Sequence, residues 1–251
     1  MRALRLFTAI SLILAGGILV SPPASDAKRK QQYKAKQIVN FKVDGDFKDW
    51  GNAEVVAFDQ LKDVGAALPK PDDFTGSGMV GWSAKDPNRI YFAVRVIDDK
   101  LQDIHPPNDL WWEDDSTEFM FDFDNDGQLV QWTIAANGKE ISSAGTKENT
   151  EWVVVNKGNE YLYEVAIDST KDNPAKPGLG KNFKAKEGLV IGLSFHANDC
   201  ENGTREHQIG WIAGGAWDAV SYGDLVFDKT EIRAVEAFGK LAVTWGSLKS
   251  Y

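Results

Sequence analysis

No segment of this chain holds an apolar period of 3.6 residues for three turns, so strands rather than helices must build its core. What recurs instead is alternation. It is plain in Tyr91-Phe92-Ala93-Val94-Arg95-Val96-Ile97 and in Phe119-Met120-Phe121-Asp122-Phe123, where neighbouring side chains of an extended chain point to opposite faces. Short β-type runs of this kind are bounded by Gly, Asp, Asn and Pro. They fall at Ile38–Val43, Glu54–Phe58, Met79–Ala84, Arg89–Ile97, Ser116–Phe123 and Leu129–Ala135. Further runs are Glu151–Val155, Glu160–Ile167, Leu189–Ala197, His207–Ile212 and Asp224–Phe227. About eleven short strands with turn signals between them predict an all-β, antiparallel sandwich of jelly-roll type. Residues 59–78, around Pro69-Lys70-Pro71, and Lys171–Lys186, rich in Pro, Gly and Lys, are expected to be surface loops.

The ends differ from this middle. Arg2 and Arg5 precede an apolar run from Leu6 to Val20, and small residues and prolines follow up to Ala27. That layout predicts a cleaved secretory signal at residues 1–27, with export to the periplasm or the cell exterior. The run is too short for a comfortable membrane span. Residues 28–37 (KRKQQYKAKQ) have no apolar face and are read as a basic linker, and 38–228 as the sandwich. Residues 229–251 are a C-terminal extension with no assignable role. In an exported protein the single cysteine, Cys200, rules out an internal disulfide and is expected to be a buried thiol.

Function narrows by exclusion first. Asp and Glu number 37 against 28 Lys and Arg, a net charge of −9, which argues against nucleic-acid binding. No nucleophile elbow or phosphate-cradling loop is present, and His105, His196 and His207 lack metal-ligand spacing. His196 and His207 are expected to be satisfied or half-exposed strand residues. Acids concentrate instead: Asp103 to Asp126 holds nine Asp and Glu and no Lys or Arg, interleaved with Trp111, Trp112 and three Phe. Consecutive Trp in a loop cannot both face inward, so at least one of the pair should be exposed. An exposed indole beside carboxylates suits a sugar. The C–H face of a pyranose stacks on the ring, and its vicinal hydroxyls match paired donors and acceptors.

Five segments, in order, then carry a resemblance to the family 9 carbohydrate-binding modules. They are Val43-Asp44-Gly45-Asp46-Phe47-Lys48-Asp49-Trp50; Ile90 to Asp99, an apolar strand ending in an Asp pair; Trp112 to Asp122; Tyr163-Glu164-Val165-Ala166-Ile167; and Trp217-Asp218 followed by Tyr222-Gly223-Asp224-Leu225. The last lacks the family's Pro between Trp217 and Tyr222. The resemblance implies a secreted, non-catalytic β-sandwich that binds a poly- or oligosaccharide as a monomer. It implies a clamp on a terminal sugar by Trp112 and Trp217, with Glu118 as a hydrogen-bonding carboxylate. Arg95 and Gln131 are candidate polar contacts by strand position. Trp50 and Trp82 are expected in the core.

Structural calcium belongs to the same resemblance, and Asp122-Phe123-Asp124-Asn125-Asp126-Gly127 offers oxygens at alternate residues. Asp122, Asp124 and Asp126 are therefore candidate Ca²⁺ ligands, although a polar hairpin turn explains the same residues. Two rival functions remain. One is a surface or adhesion sandwich that binds no sugar. The other is a haem-binding electron carrier of the related DOMON type, with Met79 or Met120 and His196 as axial ligands.

Overall fold

The computed structural model describes residues 31–105, 111–171 and 176–233. The signal segment and most of the C-terminal extension lie outside these. Thirteen strands are present among the described residues. They are β1 (Gln32–Gln37), β2 (Val56–Ala57), β3 (Gln60–Leu61), β4 (Phe74–Trp82), β5 (Arg89–Asp98), β6 (Ser116–Asp122) and β7 (Val130–Ala135). The remainder are β8 (Ile141–Ser143), β9 (Thr150–Asn156), β10 (Glu160–Asp168), β11 (Val190–Glu201), β12 (Thr204–Gly210) and β13 (Gly223–Glu231).

Hydrogen bonding links them in the order β8-β7-β6-β11-β13-β1-β4-β5-β10-β9, with β12 also on β11. The path folds over itself. Phe92 of β5 lies 4.4 Å from Phe119 of β6 and 5.8 Å from Phe195 of β11, ring centre to ring centre, so the two ends of the path pack face to face as a sandwich. Gly78 of β4 is a point of closest approach. A Cβ there would stand 2.3 Å from Phe195, so only glycine fits.

The alternation assigns the faces. Ile90, Phe92, Val94 and Val96 enter the central core, whereas Tyr91 and Ala93 enter a second, outer cluster with Phe47, Trp50, Met79 and Leu162. Burial on both faces is why β5 reads as a nearly continuous apolar run. The outer cluster is roofed by the segment 43–50, whose last residues form a helical turn, Phe47–Trp50, capped by Asp46. Glu164 of β10 anchors the roof. One carboxylate oxygen accepts the N–H groups of Asp44 (2.9 Å) and Gly45 (2.7 Å), and the other accepts the Trp50 indole N–H (3.0 Å). Gly45 sits at φ +80, where an L side chain is strained. Trp50 and Trp82 are both buried, as expected.

Three expectations need correction. Gln32–Gln37 is not a linker. It is β1, and it pairs parallel with both β13 and β4, so the sheet is mostly rather than wholly antiparallel. Tyr33 and Ala35 point into the core while Lys34 and Lys36 alternate with them on the other side, and two buried side chains were too few to show as an apolar face. Ile38–Val43 is correspondingly not a strand. Residues 59–78 are only partly loop, because β3 and the first half of β4 fall inside them.

Candidate glycan site

The outward face of β6, β7, β11 and β12 is polar. On β11, Ile191, Leu193, Phe195 and Ala197 fill the core, and Ser194, His196 and Asn198 alternate with them on the other side. Glu118 of β6 stands opposite His196 in the ladder. Only 2% of Glu118 is exposed, yet its carboxylate is well supplied. It accepts from Gln131 Nε2 (2.5 Å), pairs with His196 Nε2 (2.9 Å) and accepts from Asn198 Nδ2 (2.8 Å). Burial would raise this carboxyl; the His196 charge and hydrogen bond, Asn198 and Arg205 outweigh it and hold the group below its ordinary value. Three acceptor positions of roughly four are then filled, which leaves room for one further donor.

Two cations border this face. Lys62 donates to Ser194 Oγ (3.1 Å), and burial pushes its ammonium down to about 8 against the pull of Asp63, Asp218 and Glu118. Arg205 reaches Asn198 Oδ1 through Nη1 (3.4 Å), while its buried Nε has no hydrogen-bond partner.

The two tryptophans stand on loops tied to this network. Trp112 is 37% exposed and Trp217 59% exposed. Trp112 belongs to the helical turn Trp111–Glu113, which is pinned to β12 by the Arg205 N–H donating to Glu113 Oε2 (2.6 Å). Trp217 follows Ala216, whose N–H donates to Asp63 Oδ2 (2.7 Å). The Asp63 N–H donates to Gln208 Oε1 (3.2 Å), and Gln208 Nε2 donates to Asn198 Oδ1 (2.9 Å). A hydrogen-bonded route therefore runs from Glu118 through Asn198 towards each tryptophan. Exposed apolar side chains accompany both indoles: Leu101 and Ile104 are in the segment held to the Trp112 turn, and Val220 follows Trp217.

Of the residues picked from sequence, Glu118 and Gln131 meet on this face. Arg95 does not join them. It projects from the outer face of β5, between β4 and β10, and is ion-paired with Glu160 (2.5 Å). Strand position alone could not tell which face of which sheet Arg95 would occupy. The residues the sequence reading missed are His196, Asn198, Gln208, Lys62 and Arg205. Their signal was the polar alternation Ser194-x-His196-x-Asn198 within an otherwise apolar strand. The haem pairing fails on geometry. Met79 lies in the outer cluster of the opposite sheet, Met120 is packed in the main core, and His196 Nε2 is committed to Glu118.

Asp122 and Asp126 are hydrogen-bonded within one turn that also contains Asp124. Asp122 Oδ1 accepts the Asp126 N–H (3.1 Å), and the Asp126 carboxylate accepts the backbone and side-chain N–H groups of Gln128. Asn125 and Gly127 take positive φ, so the hairpin explanation fits the loop. The carboxyl groups that converge closely among the described residues lie elsewhere, around Asp73, Asp98, Asp115 and Asp199.

The fold is thus a mostly antiparallel sandwich with a polar face to which two tryptophan-bearing loops are tied by hydrogen bonds. The profile of the family described as "Carbohydrate family 9 binding domain-like" matches residues 43–229, and the chain belongs to that family. Among solved structures it is similar to a family 9 carbohydrate-binding module from Caldicellulosiruptor kristjanssonii in complex with cellotriose. The TM-score is 0.62 at 17% identity, covering 83% of this chain and 100% of that one. A structure of a family 9 module from the same organism in complex with glucose gives a TM-score of 0.60 at 16% identity, covering 84% and 100%. No curated protein sequence matches the chain.

Proposed function

We propose that this protein is a secreted, monomeric module that binds a poly- or oligosaccharide by a terminal sugar and does not cleave it. The supporting observation is the pair of exposed indoles, Trp112 and Trp217, on loops tied by hydrogen bonds to one buried polar face around Glu118. The rings would stack on the C–H faces of the sugar. Lys62 and Arg205 would donate to its hydroxyls, and Glu118 would accept from one of them. Rigid aromatic walls order few rotors on binding, which suits a weak polar ligand. Glycosidase chemistry asks for two carboxyls facing one bond, one of them poised as an acid. Glu118 is instead held in its charged form by its neighbours. The cellotriose and glucose complexes of the relatives make β-linked glucans the first ligands to try. Export rests on the signal-like residues 1–27; no helix among the described residues is long and apolar enough to cross a membrane.

Stacking on one ring adds about 0.5–1.5 kcal/mol beyond area burial, and each net hydrogen bond about 1 kcal/mol. Against a binding entropy cost of several kcal/mol, a dissociation constant on the order of micromolar to millimolar is expected. Titration of intrinsic fluorescence with cello-oligosaccharides tests this. Trp112→Ala and Trp217→Ala should each abolish detectable binding and leave the melting temperature within a few degrees of the parent. Full binding by both variants would refute the clamp.

A further inference from the structure

Two cations stand at the feet of the two tryptophan loops. Arg205 of β12 donates its backbone N–H to Glu113 Oε2 in the Trp112 turn (2.6 Å), and Lys62 directly precedes Asp63, which accepts the Ala216 N–H just before Trp217 (2.7 Å). Their side chains reach the polar face of β11 on either side of His196. Lys62 Nζ donates to Ser194 Oγ (3.1 Å), and Arg205 Nη1 donates to Asn198 Oδ1 (3.4 Å). Gly210, opposite His196 in the ladder, leaves room for the lysine stem. A Cβ there would stand 3.3 Å from Lys62 Cδ and 2.9 Å from His196 Cβ.

Both cations are half-buried, and both side chains have only neutral partners; among the described residues neither forms an ion pair. The carboxylates around them are engaged elsewhere. Glu118 is held by Gln131, His196 and Asn198, Asp63 by Ala216, Asp218 by the Val220 N–H, and Glu113 by the Arg205 backbone. Burial accordingly holds the Lys62 ammonium down, at about 8, against the pull of Asp63, Asp218 and Glu118. Unused donors remain. Lys62 carries three N–H groups and spends one on Ser194, and the buried Arg205 Nε has no partner. In a chain of net charge −9, two cations left without an acid are not a product of surplus base. A half-buried cation without a counter-charge keeps part of its desolvation cost, and an anion removes that cost where a neutral hydroxyl does not.

We propose that the sugar taken between Trp112 and Trp217 is acidic, a uronic acid whose carboxylate is held by Arg205 and Lys62. This rests on the glycan reading above and narrows it. The guanidinium presents a planar fork that matches a carboxylate, and the ammonium adds a point charge. The carboxylate of a uronic acid is carried at the edge of the ring, so both ring faces stay free to stack on the indoles. Glu118 would repel a carboxylate at its own position, which sends the acid group to the cations and a hydroxyl to Glu118.

The test is titration of the intrinsic fluorescence of the full chain at neutral pH and constant ionic strength. Glucuronate, galacturonate and mannuronate are each compared with glucose, galactose and mannose. At least one uronate should bind on the order of tenfold more tightly than its neutral sugar, the margin a charge-assisted hydrogen bond adds over a neutral one. Arg205→Gln and Lys62→Met should each bring that ratio towards one. Should one variant fail to fold, the other reads the ratio, and the wild-type ratio stands by itself. A ratio unchanged in both variants would overturn the role of the two cations. Sodium acetate and sodium sulfate at the same concentrations should give no response; a response equal to that of the uronates would mean a plain anion site and overturn the acidic sugar. Glucose 6-sulfate bound more tightly than any uronate would overturn the carboxylate in favour of a sulfate ester. Neutral sugars bound as tightly as every uronate would overturn the acidic sugar and leave the glycan reading standing. No response to any saccharide would overturn the glycan reading and this inference with it.

Discussion

Glu164 accepts three hydrogen bonds from a segment more than a hundred positions earlier in the chain, so one carboxylate closes the roof over the outer cluster. It is fully buried, and burial pushes its carboxyl up to about 7 despite the Gly45, Asp44 and Trp50 donors. The sign of the pH effect follows. Between the unfolded value near 4.5 and the folded value near 7, the folded state binds the extra proton. The contribution of Glu164 is therefore greatest below about pH 4.5, falls as pH rises, and levels off above about 7, a loss of roughly 1–3 kcal/mol. Urea denaturation of the wild type and Glu164→Gln across this range should show a shallower decline for the variant. Identical slopes would mean that Glu164 does not titrate there. Trp50→Ala empties the same roof and should cost about 3–5 kcal/mol. Both ends of this contact are visible in the sequence, as the Asp-Gly turn with its Trp and as the Glu of the Tyr163 strand. Their pairing is not, because nothing local relates residues so far apart.

Among the elements, β1 shows why alternation can mislead. Its inward residues are Tyr33 and Ala35, and Lys34 and Lys36, which alternate with them, give the segment the composition of a tether. Yet β1 bridges β13 and β4 and thus joins the two halves of the hydrogen-bonded path. The Tyr33 hydroxyl also accepts the Val80 N–H (2.9 Å), and its ring meets Trp211 edge-on at 6.2 Å. Tyr33→Ala should destabilise the protein by about 3–5 kcal/mol, as removal of a buried aromatic does. A tether would lose nothing, so chemical denaturation distinguishes the two. Strands with many buried residues, such as β5, β6 and β10, were legible because each carries several apolar positions of one parity. The short β2, β3 and β8 were not, since two or three residues hold too little pattern. The polar face of β11 was hidden for a related reason. Buried polar residues that satisfy one another look, in sequence, like an ordinary solvated strand face.

At the scale of the whole molecule, the sandwich brings into one hydrogen-bonded network residues from β6, β7, β11, β12 and two distant loops, and it leaves Arg95 on the far sheet. The sequence motifs named Trp112, Trp217 and Glu118; the fold supplies Asn198, Gln208, Asp63 and Arg205 as the connections between them. The most direct test of this account is a crystal structure of the protein with a bound cello-oligosaccharide. The account predicts the terminal ring between the two indoles, each ring centre about 4.5–7 Å from the sugar, with Lys62 or Arg205 on its hydroxyls. A saccharide seated away from Trp112 and Trp217, or touching just one of them with the polar face unused, would contradict it.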